Sequence, residues 1–148
     1  MPTSLAAALP DSALCDLLTR EVTRREAAEE LMRRHGQTTL AYTRVLCGNR
    51  QDTHVLMAET FNRTLDVFCD QNPPRTTWIT CLLHEARRLA AQWADSGRHA
   101  ALSPHFLHWL RQRGGDTPAG CVRALCGAEA ESRAPVTHDS GARAALEP

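Results

Sequence analysis

The chain has 148 residues, 43% of them apolar, which suits one domain-sized core and is too little for two independent ones. Its 17 basic residues are all arginine and balance 17 acids, so bulk electrostatic binding of nucleic acid is excluded and any phosphate grip must be a local patch. No stretch approaches the roughly 20 continuous apolar residues of a membrane span, and MPTSLAAALPDS lacks the basic start of a signal peptide, so a cytoplasmic protein without membrane contact is expected.

The first helix is expected to begin near Asp11, a usable cap, with Leu14, Leu17, Leu18 and Val22 on one face. A second covers about Arg25 to His35 with Ala28, Leu31 and Met32 inward, and its closing cations Arg33, Arg34 and His35 suit the negative end of a helix dipole. Gly36 bends or interrupts the path before Leu40, Tyr42, Val45 and Leu46 continue it, leaving open that the two pieces join as one kinked helix. Cys47-Gly48-Asn49 is a stop. Asp52 is the expected cap of the next helix, whose apolar stripe is Val55, Ala58, Phe61, Leu65 and Phe68. Asn72-Pro73-Pro74 ends it, because two prolines remove two amide donors.

From Thr77 to Trp93 the residues Trp78, Leu82, Ala86, Leu89 and Trp93 share a face, and Asp95-Ser96-Gly97 closes that helix. Ser103 as N-cap, Pro104 at the first helical position and Gly114 beyond the end mark a short last helix, with Leu102, Phe106, Trp109 and Leu110 inward. No segment alternates in the manner of a strand. The expected fold is all-α, a compact bundle of about four to five helices. Residues 1–10 are expected to be flexible, 11–96 to form the helical domain, 97–114 to add the short helix and 115–148 to stay mostly disordered.

Of six cysteines, four lie on apolar helix faces and no Cys-x-x-Cys pair occurs, which points to reduced thiols used as small hydrophobes. His105 and His108 with Cys121 and Cys126 offer four metal ligands, but at a spacing that fits no standard zinc site, so exposed histidines and incidental cysteines are the preferred reading. Cys81 and His84 stand three apart on a helix without an orienting acid, and Cys81 is read as core rather than as a nucleophile. No cofactor is implied.

The blocks AEELMRRHG, LAYTRVLCGNRQD, AETFNRTLDVF and ARRLAAQW follow one another in the order and at nearly the separations of region 2 of bacterial sigma factors. The chain therefore resembles the extracytoplasmic-function type of that family from about Asp11 to Trp93, and its arginine-rich, lysine-free composition suits a high-GC, actinobacteria-like genome. The resemblance implies a non-enzymatic helical domain of transcription initiation. It would dock on the clamp helices of the largest subunit of core RNA polymerase and capture the promoter minus-ten element. Asp52, Glu59, Thr60 and Arg63 match the family's docking block, with carboxylates aimed at basic clamp residues and Phe61 as core.

Arg75, Trp78, His84, Arg87 and Arg88 are the corresponding candidates for DNA contact, by stacking and phosphate pairing. Trp93 and Trp109 are read as core, while Trp78 stands evenly between core packing and base stacking. His54 and Val55 replace the family's acidic pair, Ala58 its glutamine, Cys81 a tryptophan and Glu85 an isoleucine. After Trp93 the chain offers Ala100 to Trp109 and a polar tail where the family has a second, minus-thirty-five-reading domain. A separate protein is expected to supply that reading, and an anti-sigma factor is a further possible partner. The competing reading is a repurposed helical interaction module that binds another transcription factor without touching promoter DNA.

Overall fold

A computed structural model describes residues 5–70 and 75–113. Five helices carry the fold: α1 (Asp11–Leu18), α2 (Glu21–Leu46), α3 (Arg50–Cys69), α4 (Trp78–Asp95) and α5 (Pro104–Arg111), so the architecture is all-α. One-turn 3-10 helices at Leu5–Ala8 and His99–Ala101 complete it. The expected breaks at Asn72-Pro73-Pro74 and Gly114, Cys121, Cys126 and the segment 115–148 lie outside the described residues.

Each main boundary has a local cause. The Asn49 side chain accepts from the Asp52 amide at 2.9 Å, while its own Nδ2 donates to the Asp52 carboxylate at 2.6 Å. The N-cap of α3 is thus Asn49 rather than Asp52, which sits inside the first turn and complements the dipole. Thr77 caps α4 by accepting from the Thr80 amide, and Ser103 caps α5 by accepting from Phe106, with Pro104 at the first helical position. Gly97, at φ +86°, turns α4 off: the Arg98 amide donates to Trp93 O and the Gly97 amide to Ala94 O.

Two apolar clusters form the core. One gathers Ala6, Leu14, Leu18, Leu31, Phe61, Phe68, Trp78 and Leu82, and the other Leu46, Leu56, Ala86, Leu89, Trp93, Leu102, Phe106 and Leu110. Helix α2 runs from the first cluster to the second, α3 runs back and α4 returns again, so the three long helices are consecutively antiparallel. The α2–α3 corner is pinned to the segment before α5: Gly48 N donates to Ala101 O and Ser103 N to Leu46 O, both at 2.9 Å. Helix α5 therefore extends the same core rather than standing apart from residues 11–96. Residues 5–10 are also held, since Ala6 is buried and its carbonyl accepts from Arg34.

Between the clusters, the inward positions of α2 and α3 are threonines. Thr39, Thr43, Thr60 and Thr64 are fully buried, and each hydroxyl donates to the carbonyl four residues earlier at 2.7 to 2.9 Å. A buried hydroxyl costs little when its partner is the helix itself. This seam rotates both helices relative to the stripes read from apolar residues alone. Val55 and Ala58 are exposed while Leu56 and Thr60 face inward. Met32 and Val45 are likewise on the surface, and Val22 is 95% exposed because it starts α2 instead of ending α1.

Helix α2 begins at Glu21, not Arg25, and continues through Gly36, so Arg33, Arg34 and His35 lie in mid-helix and have no dipole role. They build an ion-pair network instead. Glu30 pairs with Arg33 at 2.6 Å and Arg34 at 2.8 Å, and Arg34 reaches Asp11 at 3.0 Å and the carbonyls of Ala6 and Ala7. His35 Nε2 lies 2.6 Å from the second Asp11 oxygen. The network fastens the start of α1 and the turn before it to α2.

The hydrogen bonds from Arg33 and Arg34 hold the Glu30 carboxyl down at about 2, against an ordinary 4.5. Burial by itself raises Asp11, but its hydrogen bonds and charge contacts with His35 and Arg34 outweigh that and the net shift is downward. A carboxyl depressed in the folded state contributes stability that is complete above its unfolded value and is lost as pH falls through the folded one. The melting temperature should therefore fall from pH 4.5 toward pH 2, and a Glu30→Gln variant should show a shallower fall in that window. Parallel acid profiles for the two proteins would refute the assignment to Glu30.

Candidate functional site

The buried side of α3, formed by Thr53, Leu56, Thr60, Phe61, Thr64 and Phe68, leaves an unbroken exposed face opposite. Gln51, His54, Val55, Glu59, Asn62, Arg63 and Asp66 lie along it, as the helical period requires. Glu59 and Arg63 are exposed one turn apart, and neither is held in an ion pair among the described residues. Asp52 is half-buried at the start of this face, with its carboxylate occupied by Asn49.

Thr60 does not belong to the face. It is fully buried with its hydroxyl 2.7 Å from Leu56 O, so it offers no atom to a partner, and its place among the docking candidates is corrected to the threonine seam. The sequence blocks put Thr60 beside Glu59 in the chain. Consecutive helical residues point about 100° apart, and here that step crosses from surface to core.

Helix α4 separates the DNA candidates further. Trp78 is 1% exposed and packs between Phe61 and Phe68, with ring centroids 6.3 and 5.3 Å away, so it is a core residue and presents no face for a base. His84, Arg87 and Arg88 share one half-buried flank, as their spacing of three and four dictates. His84 and Arg87 are engaged within the chain, and Arg88 Nε lies 3.8 Å from Glu85. Arg75 is exposed before the start of α4, while that flank lies about 9 Å (His84) to about 15 Å (Arg88) along the helix from Trp78. It lines a cavity of about 550 Å³ with Asp11, Cys15, Asp16 and Trp78.

His105 and His108 are exposed on α5. Among the described residues no cluster of three or more His, Cys, Asp or Glu side chains is placed to hold a metal ion. Burial pushes the thiols of Cys15, Cys47 and Cys81 up to about 11, so Cys81 is protonated at neutral pH and is no nucleophile beside His84. No described helix is long and apolar enough to cross a membrane.

Apolar periodicity missed the threonine seam and the Asp11–Arg34–Glu30 network. The pairs Thr39/Thr43 and Thr60/Thr64 are visible in sequence at a spacing of four, the one signal that a polar stripe could be core. Comparisons of the chain with protein-family models, curated proteins and solved structures return no match.

Proposed function

We propose that this chain acts in bacterial transcription as a sigma-factor region 2-like protein that docks on the clamp helices of core RNA polymerase through the exposed face of α3. The observation that supports this reading is the pair Glu59 and Arg63, charges without an ion pair among the described residues on a helix face whose opposite side is packed core. Asp52 flanks it. The role is recognition rather than catalysis, in the cytoplasm. Contact with the promoter minus-ten element falls to Arg75, His84, Arg87 and Arg88, and a separate protein supplies minus-thirty-five recognition or, as an anti-sigma factor, blocks the docking face.

The burial of Trp78 favours a second reading, in which the same face binds another transcription regulator and no promoter is touched. Affinity measurement with purified core polymerase at moderate salt tests the first. The protein should be retained, Glu59→Arg should weaken binding by about tenfold or more, and Thr60→Val, a change inside the core, should leave binding intact. Absence of retention would sink the polymerase reading. Loss of minus-ten oligonucleotide binding in Arg87→Ala and Arg88→Ala would separate promoter contact from the interaction module, which binds no such strand.

A further inference from the structure

We propose that the corner between α2 and α3 binds the phosphate group of a small, polar phosphorylated molecule. A cavity of about 440 Å³ opens there, lined by Arg44, Arg50 and His54 together with Asn49 and Thr53. The three cationic or ionisable side chains are exposed, and none is ion-paired among the described residues. Arg20, Arg63, Arg75 and Arg111 also lack a described carboxylate partner, but here two such arginines and a histidine line one cavity. Arg25, Arg33, Arg34 and Arg88 face carboxylates, and Arg98 and Arg113 lie over the rings of Trp93 and Trp109. The acid nearest in sequence, Asp52, has its carboxylate hydrogen-bonded to Asn49.

Two guanidinium groups and an imidazole thus share one concave site, with Asp52 turned to Asn49 at its edge. A guanidinium fork binds two oxygens of a phosphate at once, a geometry chloride cannot use, and the further oxygens of a phosphate leave acceptors for a second arginine. The walls are fixed in advance: the Gly48 amide is tied to Ala101, the Leu46 carbonyl to Ser103, and the Thr53 hydroxyl donates to Asn49 O. The volume lies in the range of small-molecule sites and exceeds that of a phosphate ion, so a further group fits beside it. Leu40 is the one large apolar wall and no Phe, Tyr or Trp lines the cavity, which suits a hydroxyl-rich group such as a sugar better than a base. His54 lies on the same face of α3 as Glu59 and Arg63, but Arg44 and Arg50, which carry the phosphate grip, are not among the residues assigned to polymerase docking, so their substitution tests this site alone.

The test is an NMR titration of the full chain with inorganic phosphate and with glucose 6-phosphate, against sodium chloride at matched ionic strength. Saturable shifts of the Gly48, Arg50 and Gln51 amides and the His54 ring are expected, with the sugar ester binding tighter than the free ion. Arg44→Gln and Arg50→Gln should each weaken binding about tenfold, the size of a lost charge-assisted hydrogen bond, and Arg111→Gln should not. All three variants should melt like the wild type. Shifts that chloride reproduces, binding that survives the double Arg44→Gln/Arg50→Gln change, or capture of a single-stranded oligonucleotide when neither phosphate probe saturates, would each overturn the proposal.

Discussion

Trp78→Ala is expected to destabilise the protein by about 3–5 kcal/mol, a large share of the roughly 5–15 kcal/mol that a domain has in total. The side chain is among the largest that are fully buried, and it joins Phe61 and Phe68 of α3 to the start of α4. Truncation would leave a void where α1, α3 and α4 meet, because Leu14 and Leu18 belong to the same cluster. Trp78→Phe should cost far less, about 1 kcal/mol. It keeps the aromatic contacts and removes a buried indole N–H that finds no acceptor among the described residues, a group whose desolvation is itself unfavourable by about 1–3 kcal/mol. Urea denaturation followed by circular dichroism measures both. A Trp78→Ala protein within about 0.5 kcal/mol of the wild type would mean that the indole is a surface group, as base stacking would require.

The two glycines of the α2–α3 region are expected to respond to alanine in opposite directions. At Gly48 an added Cβ would meet the Leu102 carbonyl oxygen at 2.9 Å and its carbon at 3.3 Å. Both are backbone atoms, held by the hydrogen bonds from Gly48 to Ala101 and from Ser103 to Leu46, so neither can swing aside. Gly48→Ala should therefore cost about 1–3 kcal/mol, the usual price of overpacking, and should loosen the attachment of α5. Gly36 lies inside α2 with nothing within 4 Å of the added methyl. Gly36→Ala should stabilise by about 0.5–1 kcal/mol, through the entropy the unfolded chain no longer has to lose. Thermal melts of the two variants decide this, and a stabilised Gly48→Ala would show that the corner is not pinned as described.

The legibility of the fold differed by element. In α4 the apolar residues Trp78, Leu82, Ala86, Leu89 and Trp93 all proved buried, because that helix packs against neighbours along most of its length and hydrophobicity alone marks its inner face. In α3 the same method put Val55 and Ala58 inside, and the family resemblance made Thr60 a surface candidate. The inner face there is partly threonine, and a hydroxyl that bonds its own helix can be buried without any apolar signal. Of the two readings at Gly36, an interruption and one joined helix, the second holds, and the expected dipole role at His35 fails for a related reason. Arg33, Arg34 and His35 looked like dipole-complementing cations, but their partners are Glu30 within α2 and Asp11 in α1, and Asp11 is a long way off in sequence.

The candidate site divides in the same way. Glu59 and Arg63 stand on a surface that the helical period alone would place together, since residues four apart share a face. Trp78, Arg75 and the Arg87–Arg88 flank were grouped only by what the family resemblance implies. Packing buries the first, and the length of α4 keeps the other two apart.

Local information in the sequence was sufficient for the all-α class, the stops at Cys47-Gly48-Asn49 and Asp95-Ser96-Gly97, the cap at Ser103 and the inner face of α4, because each depends on a backbone preference or a run of apolar side chains within a few turns. Tertiary structure alone decided that α2 runs unbroken through Gly36, that threonines line the α2 and α3 interior, that Asp11 ties α1 to Arg34 and His35, and that Arg44, Arg50 and His54 share one cavity. Those outcomes depend on which distant groups meet, and the energy of an ion pair or a buried hydroxyl is set by that meeting rather than by the residue's own neighbours in the chain.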